Sequence, residues 1–258
     1  MTGIENIPIT EKSQILSVMR RSLGYIDSRL VDHGERVAYI AAAIARARDG
    51  LGVDPEKLAI LCLLHDIGAY KTEEIDRMVA FETGDVTAHA AYGYAFLRNT
   101  TALGEYAEAI LYHHTHHDHL HGCDTPQKTA AELIFLADRA DILLAAHGAG
   151  GLESIRRLSG SAFSPRLVEL LFHAESAYGV SAHILDGSYR SRVEAMFRAI
   201  DLSQAEINSY LSMLVYSIDF RSPFTVTHTA NTTAVSNALS ALFGMSPEER
   251  RAVELGAF

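Results

Sequence analysis

The chain has 258 residues, of which 48% are hydrophobic and 21% charged, and its formal net charge is −10. This length can hold one large domain or about one and a half ordinary ones. The composition is that of a soluble globular protein, and the acidic balance argues against a surface for duplex nucleic acid or anionic membranes. A small phosphorylated ligand is still compatible with it, because a site can be locally positive inside an acidic protein.

The cysteines and the N-terminal residues indicate the cellular compartment of the protein. Two cysteines, Cys62 and Cys123, form no disulfide framework, which favours a reducing cytoplasm. The first residues, MTGIENIPITEKS, lack the basic start and the apolar run of a signal peptide. No apolar run approaches the ~18 residues that span a bilayer. We therefore expect a soluble cytoplasmic protein with no membrane partner.

The first part of the chain is predicted to form helices. Thr10 can cap the first helix, and a second begins near Arg29. The segment Asp54–Glu56 is a strong helix start, with a capping aspartate, a proline at the first position and an acid in the first turn. Residues 58–64, LAILCLL, are continuously apolar, so we expect this helix to be buried on most sides.

The rest of the chain continues the helical pattern. Thr87 can open a helix, and another from about Leu103 ends at the pair His113–His114. A histidine-rich loop, THHDHLHGCDTPQ, follows, and after it comes a long apolar segment over residues 130–146. Ser164–Pro165 starts a further helix. No segment alternates in the manner of a strand, so the predicted fold class is all-α.

An adjacent histidine and aspartate end the apolar helix. His65 and Asp66 put an imidazole and a carboxylate at the edge of a dry core, where polar groups need partners, and a metal ion suits both. Neighbours on a helix point roughly 100° apart, so the two side chains cannot clamp one small ion together. They can flank two ions, with Asp66 as the bridge. His113 and His114 repeat this arrangement.

Seven residues form the candidate constellation. One of them, Asp138, lies in an apolar run, LIFLADRAD, where an unpaired carboxylate costs several kcal/mol. Five imidazoles and two carboxylates without a thiolate suit iron, manganese or zinc better than a structural cysteine–zinc site. For any single residue, a satisfied core histidine or a buried ion pair is the alternative, but the order of all seven favours a metal site. The seven are His33, His65, Asp66, His89, His113, His114 and Asp138.

Polar residues outside this constellation are not predicted to be metal ligands. The four histidines at positions 116–121 could bind a metal, but such a run is more often a solvated loop. Asp141, one turn beyond Asp138, is expected to hold a ligating imidazole rather than to bind a metal itself.

The order H…HD…H…HH…D resembles the HD superfamily of metal-dependent phosphohydrolases, and more closely its HD-GYP branch, the cyclic di-GMP phosphodiesterases. The resemblance covers roughly residues 27–172 and rests on HGERVAYIAAAIA, CLLHDIG, HAAYGYAFL, AILYHH and LADRAD. It implies a helical HD domain in which Asp66 and a hydroxide bridge two metals. On the family's pattern one metal takes His33, His65 and Asp138, and the other takes His89, His113 and His114.

The chain departs from the family in the segments that recognise the substrate. The GYP loop after the double histidine is replaced by THHDHLHGCD, and the arginine-bearing segment after the closing aspartate by AAHGAGG. The lysine that usually follows HDxG is Ala69 here, but Lys71 lies close behind it and is a candidate for reaching a phosphate. The candidate catalytic residues are therefore Asp66, His65 and Lys71. Arg29 stands where members with a third metal have a glutamate.

The resemblance implies hydrolysis of a phosphoester through two-metal activation of a bridging water. The expected substrate is a cyclic dinucleotide or another nucleotide, and the expected cofactors are two divalent metal ions. Iron or manganese is favoured, with zinc or magnesium as alternatives. Without the GYP loop, cyclic di-GMP hydrolysis should be slow or absent. The alternatives are a nucleotide monophosphohydrolase and a catalytically weak ligand-sensing or regulatory module.

The C-terminal part resembles the opening of a second HD-GYP domain. His228 corresponds to the first histidine of the constellation, and Ser246–Glu248 corresponds to Asp54–Glu56. We therefore predict an HD-GYP-like domain over residues 1–185, then a helical connector and the truncated N-terminal half of a second such domain over 186–258. Its apolar faces are expected to dock on the first domain or to form a homodimer. His228 should bind no metal, because its partner ligands are missing.

Overall fold

A computed structural model describes residues 14–48, 50–70, 87–122, 127–220 and 223–257 of the chain. These residues form α-helices and short 3-10 segments, and no strand occurs among them. The predicted all-α fold is therefore confirmed. Within the same ranges, no helix combines the length and the apolar character needed to cross a membrane. The predicted cap at Thr10 lies outside the described residues.

Thirteen α-helices and four 3-10 segments make up the described part of the chain. The helices are α1 (Gln14–Ile26), α2 (Ser28–Arg46), α3 (Pro55–Leu64), α4 (Thr87–Thr100), α5 (Ala107–Leu111), α6 (Lys128–His147), α7 (Leu152–Arg157), α8 (Pro165–Tyr178), α9 (Val180–Asp186), α10 (Tyr189–Ala199), α11 (Gln204–Phe220), α12 (Pro223–Leu242) and α13 (Pro247–Ala257). The 3-10 segments are Ile67–Tyr70, Gly104–Tyr106, His117–Gly122 and Gly148–Gly151.

Helix α3 lies in the core, as its apolar sequence predicts. Asp54 caps it by accepting hydrogen bonds of 2.9 and 3.2 Å from two backbone N–H groups of the first turn, and Pro55 takes the first helical position. All residues from Leu58 to Leu64 are buried. Because every side chain from Leu58 to Leu64 is apolar, the C-terminal end of the helix carries the following pair, His65–Asp66, into the interior.

Helix α2 packs against α3 and also against α6 and α8. Gly34 permits the close crossing of α2 and α3, because a Cβ at this position would lie 2.7 Å from the carbonyl oxygen of Leu63. Real Cβ atoms do not come this close to a backbone oxygen, so a side chain here would push the helices apart. The crossing brings His33, the residue before Gly34, beside the end of α3.

A second close approach joins the end of α3 to α4. The 3-10 turn Ile67–Tyr70 packs against α4. A Cβ at Gly68 would meet the carbonyl oxygen of His89 and would lie 2.6 Å from the backbone nitrogen of Gly93. Only a residue without a side chain lets the turn and the helix lie this close together. The contact brings His89 towards the pair His65–Asp66.

The segment predicted to be a connector contributes to the same core as the HD-like part. Val193, Phe197 and Tyr210 are buried in that core. Helix α11 packs against α1 and α4, and Glu206 at its start forms an ion pair with Lys57 of α3. No break in core packing therefore marks the predicted boundary after residue 185, and the division into two domains stays a prediction.

Helices α12 and α13 repeat the order of α2 and α3, with a long helix followed by a proline-started helix that packs on it. Ser246 and Glu249 form a reciprocal capping box at the start of α13. The Ser246 N–H donates to Glu249 Oε2 over 2.8 Å, and Ser246 Oγ accepts from the Glu249 N–H over 3.3 Å. The arrangement supports the predicted partial repeat. The side chain of His228 lies outside the described part of the structure.

Replacing Gly68 by alanine should destabilise the fold, because the added methyl group meets backbone atoms of His89 and Gly93. We expect the free energy of unfolding to fall by about 1–3 kcal/mol, as in overpacked cores, in urea denaturation. Gly24→Ala is the matched control, since its Cβ position in α1 has nothing within 4 Å. That change should leave stability unchanged or raise it. Equal effects of the two substitutions would contradict the close-packing interpretation.

Candidate metal centre

The structure brings together all seven residues of the predicted constellation. They come from helices or from the residues directly after a helix, and each side chain is buried or half-buried. Their places are His33 in α2, His65 and Asp66 after α3, His89 in α4, His113 and His114 after α5, and Asp138 in α6.

The carboxylate of Asp66 lies at the centre of this cluster. Its Oδ2 atom is 3.2 Å from Nε2 of His65 and 3.9 Å from Nε2 of His33. Its Oδ1 atom is 3.5 Å from Nε2 of His89 and 3.7 Å from Nε2 of His113. Each carboxylate oxygen therefore faces a different pair of imidazoles, which is the arrangement expected of a carboxylate that bridges two metal ions.

Two sets of ligand atoms lie close enough to hold a cation each. Within a set the atoms lie within 4.8 Å of one another, and Asp66 belongs to both sets. The larger set is Asp66, His89, His113 and His114, and the smaller is His33, His65 and Asp66.

The carboxylate of Asp138 lies between the smaller set and the larger one. Its Oδ1 atom lies 3.2 Å from Nε2 of His33, and its Oδ2 atom lies 4.0 Å from Nδ1 of His114. Arg139 donates two hydrogen bonds to Oδ2, of 3.0 Å from Nε and 2.8 Å from a terminal nitrogen. The arginine balances the charge of a carboxylate that would otherwise be costly in this apolar helix.

Hydrogen bonds on the far side of the rings orient two of the imidazoles. Nδ1 of His65 lies 2.7 Å from the carbonyl oxygen of Cys62, and Nδ1 of His113 lies 2.5 Å from that of Ile110. A carbonyl only accepts, so Nδ1 carries the proton in both rings. In the neutral ring, Nε2 then presents its lone pair towards Asp66. This tautomer is the one in which an imidazole binds a metal through Nε2.

Asp141 orients a third imidazole in the way its position predicts. Its Oδ2 atom accepts a hydrogen bond of 2.7 Å from Nδ1 of His33. Arg36 donates to both oxygens of the same carboxylate, over 2.6 and 3.0 Å. The carboxylate is thus held between a guanidinium and an imidazole, and it turns Nε2 of His33 towards Asp66 and Asp138.

The residues present fit a metal ion. Among the described residues, Nε2 of His65, Nε2 of His113 and Oδ1 of Asp66 are buried atoms that make no hydrogen bond. Buried polar atoms without a partner cost about 1–3 kcal/mol each, so native structures keep few of them. Here all three present lone pairs and face one another, and lone pairs that converge are satisfied by a cation.

The charge states of the cluster also suit metal binding. Burial raises the pKa of Asp66, but the imidazoles of His65 and His113 outweigh burial and hold this pKa well below its usual value. Burial lowers the pKa of His89 to about 4 and holds the pKa of His114 well below its usual value. At neutral pH Asp66 is therefore a carboxylate and His89 and His114 are neutral imidazoles, the forms that bind metals.

The pKa of His33 is shifted in the opposite direction, upwards. Burial lowers its pKa, but the hydrogen bonds to Asp138 and Asp141 outweigh burial and raise the pKa to about 10. The negative charge around this ring therefore attracts a cation. A proton and a metal ion compete for its Nε2 atom.

Lys71, the third predicted catalytic residue, lies outside the described residues, so its role stays a prediction. The structure adds two arginines that the motif order did not single out. Arg36 lies one turn after His33, and Arg139 follows Asp138 directly. The sequence held a signal for both, because an arginine within an apolar helical run needs a charged partner. The assignment of the seven residues as metal ligands also stays a prediction, and their clustering supports it.

Residues 30–143 match the model of the HD domain family. The match includes the whole cluster, from His33 to Asp138, so the resemblance to the HD superfamily is confirmed.

Two proteins of Vibrio cholerae resemble the chain beyond the matched region. The 3'3'-cGAMP-specific phosphodiesterase 1 of serotype O1 is 27% identical over 261 residues, a match that covers 94% of this chain and 61% of the relative's length. The crystal structure of a cyclic GMP-AMP-specific phosphodiesterase of V. cholerae superposes with a TM-score of 0.61 over 95% of this chain and 68% of that chain. Its sequence identity is 15%, and this likeness concerns the fold.

Replacing Asp66 by alanine should empty both metal positions of the HD domain, because Asp66 is common to the two ligand sets. We expect two metal ions per chain in the wild type and none in the variant, by elemental analysis of protein whose fold is verified by circular dichroism. His33→Ala should remove one ion, since His33 belongs to one set. Asp201→Ala, at an exposed position, should keep both. Full metal content in Asp66→Ala would refute the bridging assignment.

Proposed function

We propose that this chain is a metal-dependent phosphodiesterase that hydrolyses a cyclic dinucleotide. The observation that carries the proposal is the Asp66 carboxylate, whose two oxygens face two different pairs of imidazoles. Two metal ions that share one carboxylate suit displacement at a phosphate, because the attacking and the leaving oxygen can both be stabilised. The 3'3'-cGAMP-specific phosphodiesterase of V. cholerae, to which the chain is similar, supports this class of substrate.

The metals of the proposal are iron or manganese, with zinc or magnesium as alternatives. The donor set of imidazoles and carboxylates without a thiolate supports this choice. When bound, the metals supply Lewis acidity to a phosphoryl group and a nucleophile at neutral pH. One metal would be held by His33, His65 and Asp138 and the other by His89, His113 and His114, with Asp66 available to both.

The protein's own groups prepare the ligands and receive the substrate. Backbone carbonyls and Asp141 hold three imidazoles with Nε2 turned to the centre. Arg139 lies beside Asp138 with its side chain half-buried, so its remaining N–H groups are suited to a non-bridging phosphate oxygen. Lys71 is retained as a second candidate for phosphate binding.

Within this class we propose 3'3'-cGAMP as a better substrate than cyclic di-GMP. The replacement of the GYP loop by THHDHLHGCD supports this order, as does the specificity of the V. cholerae relative for 3'3'-cGAMP. A cytoplasmic location belongs to the same proposal and rests on cysteine usage, since Cys62 is a buried free thiol.

A substrate panel tests the proposed function. Protein loaded with manganese or iron should hydrolyse 3'3'-cGAMP, with slower turnover of cyclic di-GMP, and both activities should disappear in Asp66→Ala while Asp201→Ala retains them. Products can be quantified by chromatography, with a linear dinucleotide, AMP and GMP in the same panel. Hydrolysis of mononucleotides alone would replace the proposal by a nucleotide monophosphohydrolase. Binding without turnover by fully loaded protein would replace it by a ligand-sensing module.

We further propose that the chain forms a homodimer through α12. Val235, Leu239 and Leu242 lie at helical spacing on this helix, and their side chains are 57%, 46% and 79% exposed. Phe243, directly after the helix, is 72% exposed. Adjacent apolar side chains of this kind are avoided on soluble monomers unless a partner covers them. A second copy of the chain can do so by pairing the two stripes about a two-fold axis.

Leu242→Glu should convert the dimer into a monomer, because it puts a charge into the proposed apolar contact. The measurement is the molar mass in solution by light scattering after size exclusion. Leu185→Glu is the matched control, since Leu185 is 53% exposed on another helix, α9, and this variant should remain dimeric. A wild-type monomer, or a dimer that Leu242→Glu leaves unchanged, would show that the α12 stripe is not an interface.

A further inference from the structure

The imidazole of His33 is oriented by a different kind of partner from those of His65 and His113. The latter two residues follow helix ends, where a backbone carbonyl of the same helix accepts the Nδ1 proton. His33 lies inside α2, where the backbone carbonyls accept intrahelical hydrogen bonds. Its Nδ1 atom is instead bonded to a side chain of another helix, the carboxylate of Asp141 in α6.

A side-chain acceptor orients an imidazole only when the acceptor itself is held. A backbone carbonyl is fixed by its helix, whereas a carboxylate can rotate about its side-chain torsions. Arg36 removes this freedom, because its Nε donates to Oδ1 of Asp141 over 2.6 Å and a terminal nitrogen donates to Oδ2 over 3.0 Å. Two parallel hydrogen bonds from a planar guanidinium fix the plane of a carboxylate. The carboxylate can then hold the ring of His33 in one orientation.

His33, Asp141 and Arg36 form a closed arrangement, which we call the His33 clamp. His33 and Arg36 lie three positions apart on α2, so their side chains are neighbours on one face of the helix and reach the same carboxylate. The side chain of Asp141 is 2% exposed and that of Arg36 is 25% exposed. Little water therefore competes for the hydrogen bonds of the clamp, and hydrogen bonds between charged groups are strong in such surroundings.

The His33 clamp contributes to one of the two ligand sets. His33 belongs to the smaller set, with His65 and Asp66. The imidazoles of the larger set come from α4 and from the residues after α5, which carry no member of the clamp. An imidazole binds a metal ion only while its nitrogen points at the ion, so a loosened His33 ring weakens the smaller set alone.

We propose that Arg36 is a positioning residue for one of the two metal ions. Through Asp141 it fixes the ring of His33 and thereby sets the metal affinity of the smaller ligand set, while the larger set is independent of it. The inference rests on the proposed function and specifies how its metal centre is built. Partners that hold a metal-binding histidine typically change metal affinity by about 10- to 100-fold.

An ion pair that only stabilises the fold is the alternative role of Arg36 and Asp141. Helices α2 and α6, which carry this pair, pack against each other in the core that surrounds both ligand sets. Loss of a purely structural pair would therefore loosen the two sets together. The positioning role predicts a loss confined to one ion, so the two ions of one chain serve as controls for each other.

The test titrates metal-free protein with manganese and measures each binding step by calorimetry, with the fold verified by circular dichroism. We expect the wild type to bind two ions. Arg36→Gln should weaken one of them by about 10-fold or more and leave the other unchanged. Arg46→Gln is the matched control, because Arg46 is an exposed arginine at the end of the same helix. It should leave both affinities unchanged.

Two double variants trace the effect through the clamp. Asp141→Asn should weaken one ion as Arg36→Gln does, and combining the two changes should weaken it no further, because they break the same contact. In His33→Ala, the affinity of the remaining ion should be the same with and without Arg36→Gln. Arg36→Lys keeps the charge but not the two parallel hydrogen bonds. It should weaken the same ion by a smaller factor, and it replaces Arg36→Gln if that variant does not fold.

Equal weakening of both ions by Arg36→Gln, or an effect that persists in His33→Ala, would assign Arg36 to the fold and overturn the positioning role. Unchanged affinities in Arg36→Gln would overturn it as well. Turnover of a cyclic dinucleotide by the wild type, without a selective loss of one ion in Arg36→Gln, refutes the inference alone. A selective loss in a protein without turnover supports the inference and refutes the proposed function.

Discussion

The buried carboxylate of Asp66 is the interaction on which the rest of the structure depends. An ionised group in a dry core costs several kcal/mol unless other charges or dipoles compensate it. Here both oxygens are surrounded by imidazoles: His65 directly precedes Asp66 at the end of α3, and the other three arrive from α2, α4 and α5. With Asp138 of α6 beside His33, five helices contribute side chains to one cluster in the core. The close contacts at Gly34 and Gly68 are what allow them to come near enough.

Two of the imidazoles also complete the helices that carry them. The last carbonyl groups of a helix lack intrahelical partners. His65 and His113 each follow the end of a helix and lie near the carbonyl oxygen three residues earlier, which gives that carbonyl a donor and fixes the tautomer of the ring. The same hydrogen bond thus serves the fold and the site. This is a physical reason for the ligands to lie at helix ends rather than in helix interiors.

The two carboxylates of α6 beside the centre are each paired with an arginine. Asp138 and Asp141 lie on one helix, a turn apart, and each is matched by an arginine, Arg139 and Arg36 respectively. Between them His33 is bonded to both carboxylates. An acidic chain thereby keeps its negative charge where it attracts a cation, while a guanidinium beside the cluster remains suited to an anionic substrate.

The sequence by itself determined the all-α class, the cap and burial of α3, and the seven residues of the centre, because apolar periodicity, capping residues and motif order are local properties. It did not determine what depends on distant contacts. Three features arise only when separate helices meet: the roles of Arg36 and Arg139, the packing of α11 against α1 and α4, and the stacking of His116 on Phe135. The histidine-rich segment is the clearest case. Its composition is typical of a solvated loop, but contacts with the segment before α8 and with Glu132 order it, since backbone and side-chain partners outside the segment decide its conformation.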